Sequence, residues 1–123
     1  MGRGGRDGTT FAIEVQGQFI GQAALFQFDP VAQTCALGIA IGDNAFRGKG
    51  YGKETITLLL SYAFKHRNLH KVWLTVNSTN EQAIRAYRAC GFVEEGRLRQ
   101  HVWNNGTHID FVYMGVLRSE WNG

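Results

Sequence analysis

The first third of the chain alternates apolar and polar positions in the way that is typical of β-strands. Phe11, Ile13 and Val15 have this period of two, which predicts a strand over 11–15. A turn at 16–18 and a second apolar run over 19–28 complete a hairpin. Asp29-Pro30 ends it, because proline cannot donate a hydrogen bond to the ladder. A third strand is predicted over Thr34–Ile41.

Beyond residue 50 the apolar spacing becomes helical. One stripe is formed by Ile56, Leu59, Leu60, Ala63 and Phe64. It predicts a helix from about residue 52 to residues 67–68, with basic residues in its last turn. The short apolar run 71–76 is predicted to be an interior strand. Strand, helix and strand in this order form a parallel βαβ crossover.

The last third predicts a second helix and a hairpin. The helix covers 80–90 and is closed by Gly91 as a C-cap, after which Phe92 enters a strand. Strands over 98–103 and 107–117 flank Asn104-Asn105-Gly106, a sequence that favours a tight turn. The predicted fold class is therefore α/β (α+β), with a mixed, largely antiparallel sheet and one parallel crossover.

Length and composition indicate one soluble domain. The 123 residues suit a single domain over 11–123, and we expect the Gly/Arg-rich start, residues 1–10, to be disordered. Apolar residues make up 44% and charged residues 19%, as in ordinary globular proteins. Neither a membrane-length apolar run nor a signal-peptide pattern occurs, so we expect a cytoplasmic protein without a membrane partner.

The net charge, the cysteines and the histidines limit which ligands and partners are expected. The net charge of +3 suits an anionic small ligand, while the scattered basic residues argue against nucleic acid. Cys35 and Cys90 lie among apolar residues and are predicted to be buried free thiols. The four histidines lack metal-ligand spacing, so no metal is predicted. His66 and His70 are explained as charge at a helix end.

The segment 47–52 is a candidate anion-binding loop. Its three glycines leave backbone N–H groups accessible, and the following helix adds its positive N-terminal end. Arg47 and Lys49 add charge. A P-loop is excluded, since Gly48-Lys49 is followed by Gly50 instead of Ser or Thr, and the dinucleotide pattern is incomplete. A purely structural strand-to-helix turn stays open.

Several segments together resemble a known family. Residues 47–52, Arg-Gly-Lys-Gly-Tyr-Gly, match the Gln/Arg-x-x-Gly-x-Gly/Ala signature of the GNAT superfamily of N-acetyltransferases. The segments 37–43, 68–72 and 80–92 are similar to the family's neighbouring motifs. Gly96-Arg97 and the stretch 110–115 are similar to the branch that acetylates ribosomal-protein N-termini and polyamines. The resemblance spans roughly residues 11–117 and implies a GNAT-like acyl-CoA N-acyltransferase fold.

The resemblance also implies acetyl-CoA as cosubstrate. The residues that it assigns to the cofactor are Ile39, Ala40 and Ile41 for the pantetheine arm, Arg47, Gly48, Lys49, Gly50, Tyr51 and Gly52 for the pyrophosphate, and Asn80 for the cofactor amides. It further implies that the strands 34–41 and 71–76 splay apart, so that the thioester enters between them. The simpler explanation, that residues 36–41 form a core strand, is compatible with this role, because the side chains can fill the core while the strand edge binds the pantetheine arm.

Tyr87 is the candidate general acid. It lies seven residues after Asn80, so both share one helix face at a separation of about 10 Å. A phenol near the sulfur can protonate the departing thiolate, and the resemblance assigns that role to Tyr87. The simpler explanations are a packing aromatic for Tyr87 and an N-cap for Asn80.

The base and the acceptor site are less defined. Base candidates are Glu14, Asp43, His108, Asp110 or water. Family members usually begin with a strand and two helices that cover the acceptor site, whereas this chain begins at what resembles their second strand. Three explanations stay open: the sequence is a truncated form, the covering elements are absent, or another chain supplies them. We expect exposed apolar surface and a symmetric homodimer.

The predicted function is an N-acetyltransferase. It would move the acetyl group of acetyl-CoA to a primary amine, such as a protein N-terminus, a polyamine or another small amine, by direct attack in a ternary complex. Two alternatives stay open: a non-catalytic CoA- or nucleotide-binding module, and a nucleotide-dependent enzyme with a degenerate phosphate loop.

Overall fold

A computed structural model describes residues 8–42 and 50–122. The predicted loop residues Arg47, Gly48 and Lys49 and the candidate base Asp43 lie outside the described residues, as does the predicted disorder of residues 1–7.

The described residues form a six-stranded mixed sheet flanked by helices. The strands are β1 (Gly8–Val15), β2 (Gln18–Asp29), β3 (Thr34–Ile41), β4 (Lys71–Asn77), β5 (Val93–Asn104) and β6 (Thr107–Leu117). Their order in the sheet is β1-β2-β3-β4-β6-β5. The β3–β4 pair is parallel, and the other four pairs of neighbours within the described part of the chain are antiparallel. The predicted fold class is confirmed.

Two helices follow β3 and β4. The first, α1 (Tyr51–Ser61), runs on into a π-helical turn (Tyr62–His66), and the second, α2, covers Glu81–Ala89. A short 3₁₀ turn (Arg118–Glu120) follows β6. The predicted apolar stripe of the first helix is buried against the sheet. Its last turn is wider than expected, because the Arg67 N–H reaches back to the Tyr62 carbonyl at 3.0 Å.

Two strand boundaries differ from the expectations. β1 begins at Gly8, which pairs with Phe26, so the prediction of disorder over 1–10 is wrong for residues 8–10. Pairing with β2 supplies the hydrogen bonds that the local composition did not indicate. The strand predicted over 98–103 is the end of a single longer strand, β5, that begins at Val93. Register shifts between Leu98 and Val102 hide its period of two.

One face of the sheet carries the helices and the core. On β4, Val72, Leu74 and Val76 are buried while the residues between them are half-exposed, which is the alternation of a strand with one covered face. Phe64 and Leu60 of the first helical segment pack against this face.

The parallel strands β3 and β4 separate after a short contact. They pair at Thr34 with Lys71, at Cys35 with Val72 and at Ala36 with Trp73, and no pairing of the two follows. β3 nevertheless continues to Ile41 and β4 to Asn77. The expected splaying of the two strands is therefore confirmed, and it opens a gap in the middle of the sheet.

Candidate functional site

A cleft of about 400 Å³ lies where β3 and β4 part, between β3, the start of α1 and the face of α2. The predicted site residues among its lining are Ile39, Ala40, Ile41, Gly50, Gly52, Asn80 and Tyr87. The chain thus brings most of the described candidate residues to one place, although they come from segments as far apart as Ile39 and Tyr87.

The wall formed by β3 is held close to β2. A side chain at Gly21 would place its Cβ 2.1 Å from the carbonyl oxygen of Ala40, so only glycine allows this approach. The Gly42 N–H also donates to the carbonyl oxygen of Ile20 at 2.9 Å. The end of β3 is therefore fixed on its β2 side, while the β4 side faces the gap.

The start of α1 forms a second wall. Gly50 is its N-cap residue, with φ +86° and no side-chain cap, and its carbonyl accepts the Glu54 N–H at 3.0 Å. A Cβ at Gly50 would meet no atom of residues 8–42 or 50–122 within 4 Å, so none of these residues fills the space beside the first turn. The unpaired N–H groups and the dipole of a helix N-terminus stabilise an anion, and Lys53 adds a positive charge to the cleft.

Tyr51 is placed differently from the other described loop residues. It does not line the cleft, but it borders two other depressions beside α1, together with Glu54 and Leu58. Its assignment to the pyrophosphate therefore stays a prediction that the cleft geometry does not support.

Asn80 caps α2. Its Oδ1 accepts the Ala83 N–H at 3.2 Å, so the simpler explanation of this residue as an N-cap is confirmed. It also lines the cleft. The cap uses the carbonyl oxygen alone, which leaves the two N–H donors of the side-chain amide for another partner.

Tyr87 is fixed by packing and still borders the cleft. Its side chain is 8% exposed, and its ring lies edge-on to Phe92 with the centroids 5.8 Å apart. The backbone supports this pair, because the Phe92 N–H donates to the Tyr87 carbonyl at 3.0 Å around Gly91, whose φ is +104°. Burial raises the pKa of the phenol above its ordinary value near 10, so the hydroxyl stays protonated at neutral pH.

The described base candidates lie outside the cleft lining. The carboxylate of Asp110 accepts the Gln100 N–H at 2.9 Å and an Arg97 N–H at 3.1 Å, and these contacts, in that order, lower its pKa. His108 packs edge-on against Trp103, with the ring centroids 5.0 Å apart. Glu14 borders one of the outer depressions. Among the described residues that line the cleft, Lys53 and Tyr87 are the titratable ones.

Several lining residues were missed by the sequence reasoning. They are Lys53, Ile56, Gln82, Ala83 and Ala86. The signal for part of them was present, because Ala83 lies between Asn80 and Tyr87 on one helix face at a spacing of three and four residues. Small side chains on that face leave room for a ligand.

The two cysteines differ in environment. Both are free thiols, as expected; Cys35 is fully buried, whereas Cys90 is only half-buried, so the prediction of burial is wrong in degree for Cys90. Cys90 Sγ lies 3.7 Å from the Lys53 carbonyl oxygen and 3.9 Å from Thr57 Oγ1, between the two helices. Burial raises the pKa of the Cys35 thiol to about 12.

Residues 8–42 and 50–122 contain no group of three His, Cys, Asp or Glu side chains that could hold a metal ion. In the same ranges, no helix is both long and apolar enough to span a membrane.

A mixed sheet with one parallel crossover, a cleft where its strands part and a helix N-terminus at that cleft define the GNAT class of acetyltransferases. The chain belongs to this family: residues 2–93 match the family model described as an acetyltransferase (GNAT) domain.

Particular relatives refine this placement. The chain is 34% identical over 112 residues to a spermidine N(1)-acetyltransferase of Vibrio cholerae, which covers 90% of the chain and 64% of that protein. It is 31% identical to a putative ribosomal N-acetyltransferase, YdaF, of Bacillus subtilis, over 95% of the chain and 63% of that protein. The chain therefore spans less than two thirds of the length of these curated relatives.

A solved structure shows the same fold. The spermidine N-acetyltransferase from Vibrio cholerae, in complex with CoA and spermine, matches with a TM-score of 0.88 and 31% identity, covering 97% of the chain and 70% of that chain. The predicted resemblance to the polyamine and ribosomal branch is confirmed.

Proposed function

We propose that the chain is the acetyl-CoA-binding and catalytic part of an N-acetyltransferase that acts on primary amines. The observation that carries the proposal is the meeting of three features in one cleft: the free side of β3, the N-terminus of α1, and Tyr87 on α2. A nucleotide-binding module needs the first two features alone, whereas a protonated phenol adds a group that suits catalysis.

The cleft fits the parts of acetyl-CoA. Backbone groups at Ile39, Ala40 and Ile41 would pair with the amides of the pantetheine arm, as an added strand does. The open N-terminus of α1 would hold the pyrophosphate, with Gly50 giving its oxygens close access to the backbone. Arg47, Gly48 and Lys49 are proposed to complete that site. The amide N–H groups of Asn80 would donate to a carbonyl oxygen of the arm.

Tyr87 would act as the acid in direct transfer. The neutral amine attacks the thioester carbonyl, a C–N bond forms, the C–S bond breaks, and the leaving thiolate takes the phenol proton. The nitrogen, which becomes cationic on attack, releases one proton to water, and the Tyr87 phenolate regains a proton from water. Burial raises the pKa of Tyr87, so the phenol is protonated when the thiolate forms, and it is a weaker acid than an exposed phenol. Before it attacks, the amine substrate must lose a proton from its ammonium form. Because Glu14, His108 and Asp110 lie outside the cleft lining, Asp43 and water remain as candidates for the base that takes this proton.

The acceptor is proposed to be a polyamine or another small or N-terminal primary amine. Support comes from the relatives, since one is named a spermidine N(1)-acetyltransferase and another a putative ribosomal N-acetyltransferase. It also comes from the similar solved structure, which is a complex with CoA and spermine. A cytoplasmic location, a symmetric homodimer, and the absence of metal and nucleic acid stay predictions.

Thiol release tests the proposal. We expect CoA thiol to appear when acetyl-CoA is mixed with spermidine, with a peptide bearing a free N-terminus, or with a simple monoamine, and at least one amine should give saturable turnover. Acetyl-CoA binding measured by calorimetry, combined with no thiol release for any amine, would instead identify a non-catalytic binding module. Absence of acetyl-CoA binding would contradict both.

A further inference from the structure

The turn between β4 and α2 leads directly into the cleft. β4 ends at Asn77, and Asn80, which lines the cleft, is the N-cap residue of α2. The Asn80 N–H donates to the Asn77 carbonyl oxygen at 3.0 Å, so a tight turn of four residues joins the strand to the helix. A displacement of this turn would therefore move the Asn80 side chain relative to the cleft.

Ser78, the second residue of this turn, is joined to Asp110 of β6 by two hydrogen bonds. The Ser78 N–H donates to the Asp110 carbonyl oxygen at 3.0 Å, and the Asp110 N–H donates to Ser78 Oγ at 3.2 Å. The last regular pair of the two strands is Asn77 with Phe111. In a continued antiparallel ladder the Asp110 N–H would donate to the backbone carbonyl of residue 78. The hydroxyl takes the place of that carbonyl, so the chain leaves the sheet here while the Asp110 N–H keeps a partner.

Asp110 is itself held in place by its carboxylate. Oδ1 accepts the Gln100 N–H at 2.9 Å, and Oδ2 accepts an Arg97 N–H at 3.1 Å. Gln100 has φ +50° and lies where the pairing of β5 with β6 shifts register. Arg97 also contacts Glu94 at 3.4 Å. The β5–β6 hairpin is thus braced at the residue that binds Ser78, and this gives the turn a fixed support.

We propose that Ser78 is a positioning residue for the cosubstrate and that Asp110 supports it. The bond from the Asp110 N–H to the Ser78 hydroxyl holds the turn, and the turn holds the side-chain N–H groups of Asn80 at the cleft. This inference rests on the proposed function, in which those N–H groups donate to a carbonyl oxygen of the pantetheine arm. Ser78 is not among the described residues that line the cleft, so it acts through Asn80.

Loss of the Ser78 hydroxyl would leave the Asp110 N–H without its acceptor. This bond is partly buried, and an unpaired N–H in such a place is unfavourable. The turn should therefore move until water or the backbone carbonyl of residue 78 reaches the N–H. Either movement displaces Asn80, which lies only two residues further along the chain.

Acetyl-CoA affinity, measured by calorimetry, tests the proposal. Ser78→Ala and Ser78→Val should raise Kd about 2- to 13-fold, which corresponds to the loss of one neutral hydrogen bond. Ser78→Thr has the shape of the valine variant but keeps a hydroxyl, so it should bind acetyl-CoA like wild type. Thr79→Ala removes the neighbouring, exposed hydroxyl, and this matched control should also bind normally. An unchanged Kd in both hydroxyl-free variants, or an equal rise in Ser78→Thr, would overturn the proposal.

A double-mutant cycle tests whether Ser78 acts through Asn80. Asn80→Ser keeps an N-cap hydroxyl and removes the two amide N–H donors. In that background Ser78→Ala should cause no further rise in Kd, because the donors that Ser78 positions are already absent. An equal rise in both backgrounds would overturn the proposal and leave Ser78 as a residue that only stabilises the end of the sheet.

Hydrogen exchange in the free protein separates this proposal from the proposed function. The Ala83 N–H, which donates to Asn80 Oδ1, should exchange faster in Ser78→Ala than in wild type or Ser78→Thr. The Glu54 N–H, in the first turn of α1, is the control and should exchange at one rate in all three proteins. Faster Ala83 exchange in a protein that binds no acetyl-CoA would contradict the proposed function and keep the link from Ser78 to Asn80. Normal acetyl-CoA binding by wild type, with unchanged Ala83 exchange in Ser78→Ala, would overturn the link alone.

Discussion

Replacing Tyr87 by phenylalanine removes one hydroxyl group and leaves the ring. The ring is 8% exposed and packs edge-on against Phe92, a contact that phenylalanine reproduces. Loss of one hydrogen-bonding hydroxyl typically changes the free energy of unfolding by about 0.5–1.5 kcal/mol. Loss of general acid catalysis lowers the rate by about 10²–10⁴, which corresponds to about 2.7–5.4 kcal/mol in the activation free energy. The effect on the rate should therefore exceed the effect on stability.

Single-turnover kinetics is the appropriate assay, because product release can hide a slower chemical step. We expect the rate of thiol release by Tyr87→Phe to fall by about 10²–10⁴, with acetyl-CoA affinity within twofold of wild type. Tyr62→Phe is the matched control and should keep the wild-type rate. Tyr62 lies on the π-helical turn, and its ring packs edge-on against Phe11 of β1. A rate within threefold of wild type in folded Tyr87→Phe would refute the assignment and leave Tyr87 as a packing residue.

Three further predictions concern other sites. Gly50→Asp should weaken acetyl-CoA binding more than tenfold in calorimetry, which corresponds to more than about 1.4 kcal/mol. The control Gly106→Asp alters a glycine with the same φ of +86° in the β5–β6 turn and should bind acetyl-CoA normally. Equal losses of affinity in both variants would contradict the loop assignment. Contacts to its carboxylate lower the pKa of Asp110, so Asp110→Asn should be less stable than wild type at pH 7. The difference in stability should disappear as the pH falls through that lowered pKa. A difference in urea unfolding that does not change with pH would count against this. Iodoacetamide at about pH 8 should alkylate Cys90 while Cys35, with its pKa of about 12, stays unmodified by mass spectrometry, and early labelling of Cys35 in the folded protein would be the contrary result.

Elements with an unbroken apolar period were the ones that the sequence predicted well. β3 and β4 lie within a residue of the expected bounds, and α1 begins within a residue of its expected start, although its α-helical part ends at Ser61 and not at 67–68. The Asn105-Gly106 turn was equally clear, since both residues have positive φ, as a tight hairpin requires. Such elements can be predicted because their apolar period is visible in the local sequence.

Features that depend on distant pairing were predicted less well. β1 starts at Gly8 because β2 extends far enough to pair with it, and no local signal in the Gly/Arg-rich start indicates this. β5 contains Gln100 with φ +50° between two register shifts, so its apolar residues lose their alternation. The π-helical turn after α1 likewise follows from packing, since its sequence continues the α-helical stripe.

The candidate site was predicted where family motifs and geometry agree, and less well elsewhere. Asn80 and Tyr87 lie seven residues apart on one helix, so their shared face follows from helical geometry. The base candidates had no such geometric link. Glu14, His108 and Asp110 were chosen by residue type, and their positions outside the cleft lining depend on strand register.

The structure of the complex with acetyl-CoA tests the central claim most directly. The pantetheine arm should lie in the gap between β3 and β4 along Ile39–Ile41, with the pyrophosphate at the start of α1. The sulfur should be within hydrogen-bonding reach of the Tyr87 hydroxyl. Acetyl-CoA bound elsewhere on the protein, or bound in the cleft with its sulfur far from Tyr87, would contradict the account.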